Sequence, residues 1–180
     1  MKTFQEFMSL VEGNPTTRML TKSKTQLTGH ISADRGTDEN KNRESRQNLE
    51  RDLQRHGIGY QKGVGEYKYS SGEGTGREVT FHTSPKPPKE GRRPMSKRRF
   101  GKIMRRLGRK HGQETVITND RDKPFLHTTE KGSKVSSVPL GTTKPGKHPE
   151  GYGETSGTKI RSGKLPKTTK PAYHYGDEEK

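Results

Sequence analysis

Apolar residues in this chain come in short, widely spaced groups, and their period changes from group to group. Phe4, Phe7, Met8 and Val11 fall at i, i+3, i+4 and i+7, the stripe of an amphipathic helix. Thr3 and Glu6 supply a capping box, and Gly13-Asn14-Pro15 opposes continuation. So short a helix is not stable alone in water and must dock on something. From Gln26 to Ala33 the period is two, with Leu27, Gly29, Ile31 and Ala33 on one side, which predicts a strand. Asp38 to Gln54 is built of helix formers with Leu49 and Leu53 one turn apart, and Gly57 ends it. Ile58–Tyr69 and Arg77–Thr83, the latter with Val79 and Phe81 alternating, predict a hairpin around residues 70–76. Ser96 to His111 carries Phe100, Ile103, Met104 and Leu107 at helical spacing and is closed by Gly112. Glu114–Thr118 and Pro124–Thr128 are two further short strand candidates.

Beyond Glu130 neither period survives, and Gly, Pro, Ser, Thr and Lys dominate. The pattern therefore predicts an α+β fold: a small sheet of three to five strands with two helices at residues 25–128. A leader helix at 1–12 and a linker at 13–24 precede it, and a disordered or extended basic tail at 129–180 follows.

Composition sharpens this division. Hydrophobic residues are 21% of the 180 and aromatics 6%, against roughly 45–50% apolar in ordinary globular domains, so one core cannot fill the chain. No Cys is present, which excludes disulfides and thiolate metal sites. No apolar run reaches the roughly 18 residues of a membrane span, and residues 1–12 lack the features of a signal peptide.

The 37 Lys and Arg against 21 Asp and Glu give a net charge of +16. Twelve of those cations stand between Lys86 and Lys110 beside a single acid, Glu90. Lys97, Arg98, Arg99, Lys102, Arg105, Arg106, Arg109 and Lys110 occupy helix positions that the Phe100–Leu107 stripe leaves open, and Arg92 and Arg93 stand in the Pro-rich connector before it. Such a helix neutralises phosphates and releases counterions without reading sequence, and its excess of Arg favours bidentate contact with phosphate or base edges. A basic amphipathic helix also suits an anionic membrane surface or a calmodulin-like partner, but Phe100 is its one aromatic anchor and it has no Trp. Tyr60, Tyr67, Tyr69 and Phe81 on the hairpin are either base-stacking platforms or half of the core.

Catalytic motifs are thin. The seven histidines are scattered without metal-ligand spacing, and the glycines from Gly57 to Gly65 are not followed by the Lys-Ser/Thr of a phosphate-binding loop. Glu39, Glu44, Glu66 and Glu78 have no spacing that singles out a nuclease cluster. No metal, no cofactor and no enzymatic activity are expected.

Met1-Lys2-Thr3-Phe4-Gln5-Glu6-Phe7 resembles the capsid-targeting leader of internal head proteins of T-even-type contractile-tailed phages. Leu10-Val11-Glu12, with Gly13 following, resembles the Leu/Ile-x-Glu site of their prohead protease, and the triplet occurs nowhere else in the chain. The resemblance implies a virion protein carried into the procapsid, cut after Glu12 by the prohead protease and retained with packaged DNA. Its locations would be the virion and the host cytoplasm during assembly or after ejection. The middle is similar to an uncharacterised small α/β domain family of bacteria and phages. That similarity lies in Ile31-Ser32-Ala33, Glu39-Asn40, Arg43, Gly57–Tyr60, Gly63, Glu78, Leu107-Gly108 and Gln113–Ile117. The expected function is nonspecific DNA association inside the head. The alternative is an extended capsid, neck or tail component ordered by neighbouring subunits.

Overall fold

The computed structural model describes residues 15–68, 75–134, 136–146, 153–156 and 173–176. The expected leader helix lies outside them. Three helices occur among the described residues, α1 (Pro15–Thr25), α2 (Glu39–Arg55) and α3 (Lys97–Lys110). The strands are β1 (Leu27–Ser32), β2 (Ile58–Lys68), β3 (Thr75–Pro85), β4 (Thr115–Asp120), β5 (Pro124–Thr128), β6 (Ser137–Pro139), β7 (Thr142–Pro145), β8 (Gly153–Ser156) and β9 (Tyr173–Gly176). They form one sheet in the order β6-β5-β4-β1-β3-β2-β8-β9-β7, and each pairing is antiparallel.

Nine strands correct the expected sheet of three to five. The additional strands come from the segment expected to be a featureless tail. Each is only three or four residues long, too short to display a period. Backbone hydrogen bonding joins β6 to the open edge of β5 and β8 to that of β2, with β9 and β7 added beyond β8, a pairing almost any sequence can supply, and β9 also buries Tyr173 and Tyr175. The expected linker likewise becomes α1 from Pro15 onward. Proline is well tolerated at a helix start, where its missing N–H has no partner to lose, so the Gly13-Asn14-Pro15 stop is also a beginning.

Alternation along β1, β3 and β4 gives the sheet two unlike faces. One presents Ile31, Val79, Phe81 and Val116 to Leu49 and Leu53 of α2 and to Phe100, Met104 and Leu107 of α3, and these form the main core. Asp38 caps α2, its Oδ1 accepting from the backbone N–H of Asn40 and Lys41. The loop ahead of it is fixed by Arg46, whose buried guanidinium donates to both oxygens of Asp34 and to Glu39. Burial opposes the charge on Arg46, but its hydrogen bonds to Asp34 and Glu39 outweigh it and hold its pKa above the ordinary value. Asp34 Oδ2 also accepts from Val79 N at 2.9 Å, which joins that loop to β3.

The opposite face is polar. His30 of β1 stands directly across from His82 of β3, with ring centroids 4.3 Å apart. Above them lie Tyr173 and Tyr175 of β9, packed with Met19 of α1. Tyr173 Oη is 2.8 Å from His82 Nδ1 and 3.0 Å from His30 Nε2, and Tyr175 Oη is 2.5 Å from the latter. Nearby, Asn119 is wholly buried and its Nδ2 donates to Ser23 O of α1 at 2.7 Å. No described helix is long and apolar enough to cross a membrane.

Burial pushes the His82 imidazole down to about 3. The unfolded chain takes up that proton near pH 6.5 while the folded chain resists it, so this contribution to stability is complete above pH 6.5 and is lost as pH falls towards 3. The expected slope is on the order of 1 kcal/mol per pH unit. Urea unfolding at pH 7 and pH 5 checks it: His82→Gln is expected to flatten the difference between the two, whatever it does to stability at pH 7.

Candidate nucleic-acid interface

The sequence KRRFGKIMRRLGRK has a side that must be buried, and it sets where every cation of α3 points. Ser96 starts the helix, its Oγ accepting from Arg99 N at 3.3 Å. Phe100, Met104 and Leu107 then enter the core, with Gly101 and Gly108 buried beside them. A Cβ on Gly108 would stand 2.7 Å from Val116 Cγ1, and one on Gly29 would stand 3.0 Å from Met104 Cε. Glycine at these two positions lets α3 lie close against β4 and β1, which fixes its rotation. Arg98, Lys102, Arg105 and Arg109 consequently line up at i, i+4, i+7 and i+11 along a helix roughly 21 Å long. Arg99 and Arg106 flank that row.

Two of the ten cations expected at this interface are engaged internally. Lys97 Nζ is 3.3 Å from Asp120 Oδ2 and 6.0 Å from the Phe125 ring centroid. Lys110 Nζ is 2.7 Å from Asp52 Oδ2. Arg92 and Arg93, in the connector before the helix, and Arg98, Arg99, Lys102, Arg106 and Arg109 are exposed, and none has an ion-pair partner among the described residues. Arg105 is half-buried. Its charge, after burial itself, helps hold His127 below the ordinary histidine value. The ring of His127 is fixed between Thr118 Oγ1 and Ser137 Oγ, each at 2.7 Å.

The first turn of α3 contains Lys97, Arg98 and Arg99 and no acid. Cations there face the positive end of the helix dipole and each costs about 0.3–1 kcal/mol. An anion bound beside them reverses that penalty, so the arrangement favours a polyanion more than it favours the free fold.

Other expected residues fall elsewhere. Leu10, Val11, Glu12 and Gly13 lie outside the described residues, as does Tyr69, and the side chain of Tyr67 is likewise not described. Phe81 is fully buried, and Tyr60 packs on it with its hydroxyl donating to Glu50 Oε2 at 2.8 Å. Both belong to the core side and neither offers a stacking platform. Among the described residues no group of three or more His, Cys, Asp or Glu side chains is placed to hold a metal ion. No motif or spacing groups Arg35 with Arg51 and Arg55, which the fold brings beside Lys110 and His111 around one cleft.

No protein-family model and no curated protein matches the chain. Among solved structures, a phage SAM lyase in complex with S-methyl-5'-thioadenosine is similar to it with a TM-score of 0.33 and 16% identity. That likeness covers 63% of this chain and 87% of the other. It is a likeness to an enzyme, and the expectation of no enzymatic activity is corrected on that finding. A match this distant carries no reaction, ligand or residue across.

Arg98→Gln together with Arg99→Gln is expected to raise thermal stability by about 0.3–1 kcal/mol per cation removed. The Ser96 cap, made to a backbone N–H, is left intact. Calorimetric melting of the double variant against the parent chain checks the sign.

Proposed function

We propose that this chain binds nucleic acid, chiefly DNA, without regard to sequence through the outward face of α3, and does so as an internal protein of a phage virion. One observation carries the reading. Arg98, Arg99, Lys102, Arg105, Arg106 and Arg109 share one side of a rigidly seated helix, and none has an ion-pair partner among the described residues.

Chemistry then follows from charge and spacing. Guanidinium groups one helical turn apart take successive phosphate oxygens, each neutralised phosphate releasing condensed counterions. The helix has no Asn or Gln to pair with adenine edges, and a row of exposed cations suits the phosphate backbone of any sequence. Arg92 and Arg93 extend the contact into the preceding connector. The N-terminal resemblance to capsid-targeting leaders supports the virion setting, with the procapsid and the prohead protease as partners during assembly and packaged DNA afterwards.

Replacing Arg98, Arg105, Arg106 and Arg109 by Glu is expected to abolish duplex binding at moderate salt. Titration by fluorescence anisotropy over a range of salt concentrations measures it. A control carries the same change of charge at Arg18, Lys22, Lys24 and Lys41, all exposed and away from α3. It should keep most of the affinity and the same salt slope. Equal loss in both variants would reduce the effect to net charge, and unchanged affinity in the α3 variant would end the proposal.

A further inference from the structure

Between α2 and the C-terminal end of α3 lies a cleft of about 510 Å³ lined by Arg35, Ser45, Asn48, Arg51, Asp52, Arg55, Lys110 and His111. Its charge is lopsided. Four cations and a histidine meet one carboxylate, and that carboxylate is already engaged. Asp52 Oδ1 accepts from Lys110 Nζ at 2.8 Å, and Asp52 Oδ2 accepts from Lys110 Nζ at 2.7 Å and from His111 Nε2 at 2.8 Å. Burial pushes the Asp52 carboxyl up, but the hydrogen bonds from Lys110 and His111 outweigh it and hold it below the ordinary carboxylate value. Asp52 thus stays charged and serves Lys110 and His111, while the three arginines have no ion pair among the described residues. Arg51 donates only to the amide oxygen of Asn48.

The cleft is built. Gly112, at φ +65°, leaves the space in which the Arg35 guanidinium sits: a Cβ there would stand 2.5 Å from Arg35 Nη1. Arg35 N donates to Asn42 Oδ1 at 2.7 Å, which anchors the same residue from its backbone. Arg51 and Arg55 project one turn apart from α2, and Lys110 comes from the end of α3. Cations from three separate segments therefore border one space, with Arg35 and Lys110 placed by contacts within the fold before any ligand arrives, and pre-organisation of this kind lowers the ordering cost of binding.

The lining also says what the ligand is. Planar guanidinium forks match phosphoryl oxygens bidentately, Ser45 and Asn48 add neutral hydrogen-bonding groups, and the volume lies within the roughly 300–1,000 Å³ of small-ligand sites. No Phe, Tyr or Trp lines the space, and the His111 ring is bound through Nε2 to Asp52, so the lining is directed at phosphoryl oxygens more than at a base. We propose that this cleft is a second anion site, one that takes adjacent phosphoryl groups borne either by a free nucleotide or by a nucleic-acid strand. It does not depend on the α3 face binding DNA, because Arg35, Arg51 and Arg55 belong to other segments.

Isothermal titration of the full chain with inorganic tripolyphosphate at about 0.15 M salt is the test. Binding is expected. In the variant Arg51→Gln with Arg55→Gln it should weaken about ten-fold or more, since a hydrogen bond to a charged group contributes about 1.5–3 kcal/mol. Both side chains are exposed, and circular dichroism confirms that the variant folds. Arg98→Glu with Arg99→Glu, at the far end of α3 from Lys110, should leave tripolyphosphate affinity within about two-fold, because charges more than about 8 Å away are screened at this salt. No binding by the parent chain, equal binding by the Arg51/Arg55 variant, or equal loss in the α3 variant would each overturn the site. Loss of DNA affinity alone in the α3 variant leaves it standing, so the two proposals fail separately. Competition then identifies the source. Adenosine triphosphate binding more tightly than tripolyphosphate identifies a nucleotide, whereas displacement by an oligothymidylate with no gain from the nucleoside identifies a strand.

Discussion

The packing of α3 against β1 and β4 is the constraint from which the exterior of this protein follows. Phe100, Met104 and Leu107 supply a large part of the main core, and a chain with 21% hydrophobic residues has few to spare. Gly29 and Gly108 let the helix approach so closely that a single Cβ at either would collide with its neighbours. Burial of one side at this distance sets the direction in which each remaining side chain leaves the helix. The cations on the outward side are therefore held in a fixed row by hydrophobic packing beneath them, and the dipole at the helix start works against their presence there.

A second consequence of the scarcity is the unlike pair of sheet faces. The α2/α3 face takes most of the aliphatic residues, and the opposite face is closed by His30, His82, Asn119 and the tyrosines of β9. Buried polar groups stabilise only when hydrogen-bonded, which makes the placement of Tyr173 and Tyr175 over the two histidines a condition of closing that face. Residues more than 140 positions apart in the chain thus meet there. Loop positions do comparable work: Arg121 and Asp122 adopt left-handed backbone, and their N–H groups donate to Gln26 O and Ser23 O, tying the β4–β5 turn to the end of α1. Asp122 Oδ1 accepts from Thr143 N at 2.6 Å, which brings in β7.

Much of the central fold was legible wherever a period ran long enough. Leu27, Gly29 and Ile31 marked β1, Leu49 and Leu53 marked α2, and the Phe100–Leu107 stripe with Ser96 and Gly112 marked α3 to within a residue. Strands β6 to β9 were not legible, because three or four residues carry no period, backbone pairing is open to every residue type, and the burial of Tyr173 and Tyr175 in β9 depends on histidines 91 to 145 positions away in the chain. The basic face could be read because charge density is local in sequence. The cleft could not, since Arg35, Arg51 and Lys110 are brought together only by the crossing of α2 with the end of α3. Carboxylate partners were equally hidden, so Lys97 and Lys110 were counted with the free cations although Asp120 and Asp52 engage them.

That α3 is the surface that meets nucleic acid is the central claim, and arginine side-chain Nε–Hε resonances report on it residue by residue. Adding duplex DNA to the full chain at low salt should shift Arg98, Arg99, Arg106 and Arg109 together, with the buried Arg46 and the distant Arg18 unmoved. Uniform small shifts across all arginines, or shifts confined to residues away from α3, would contradict the account.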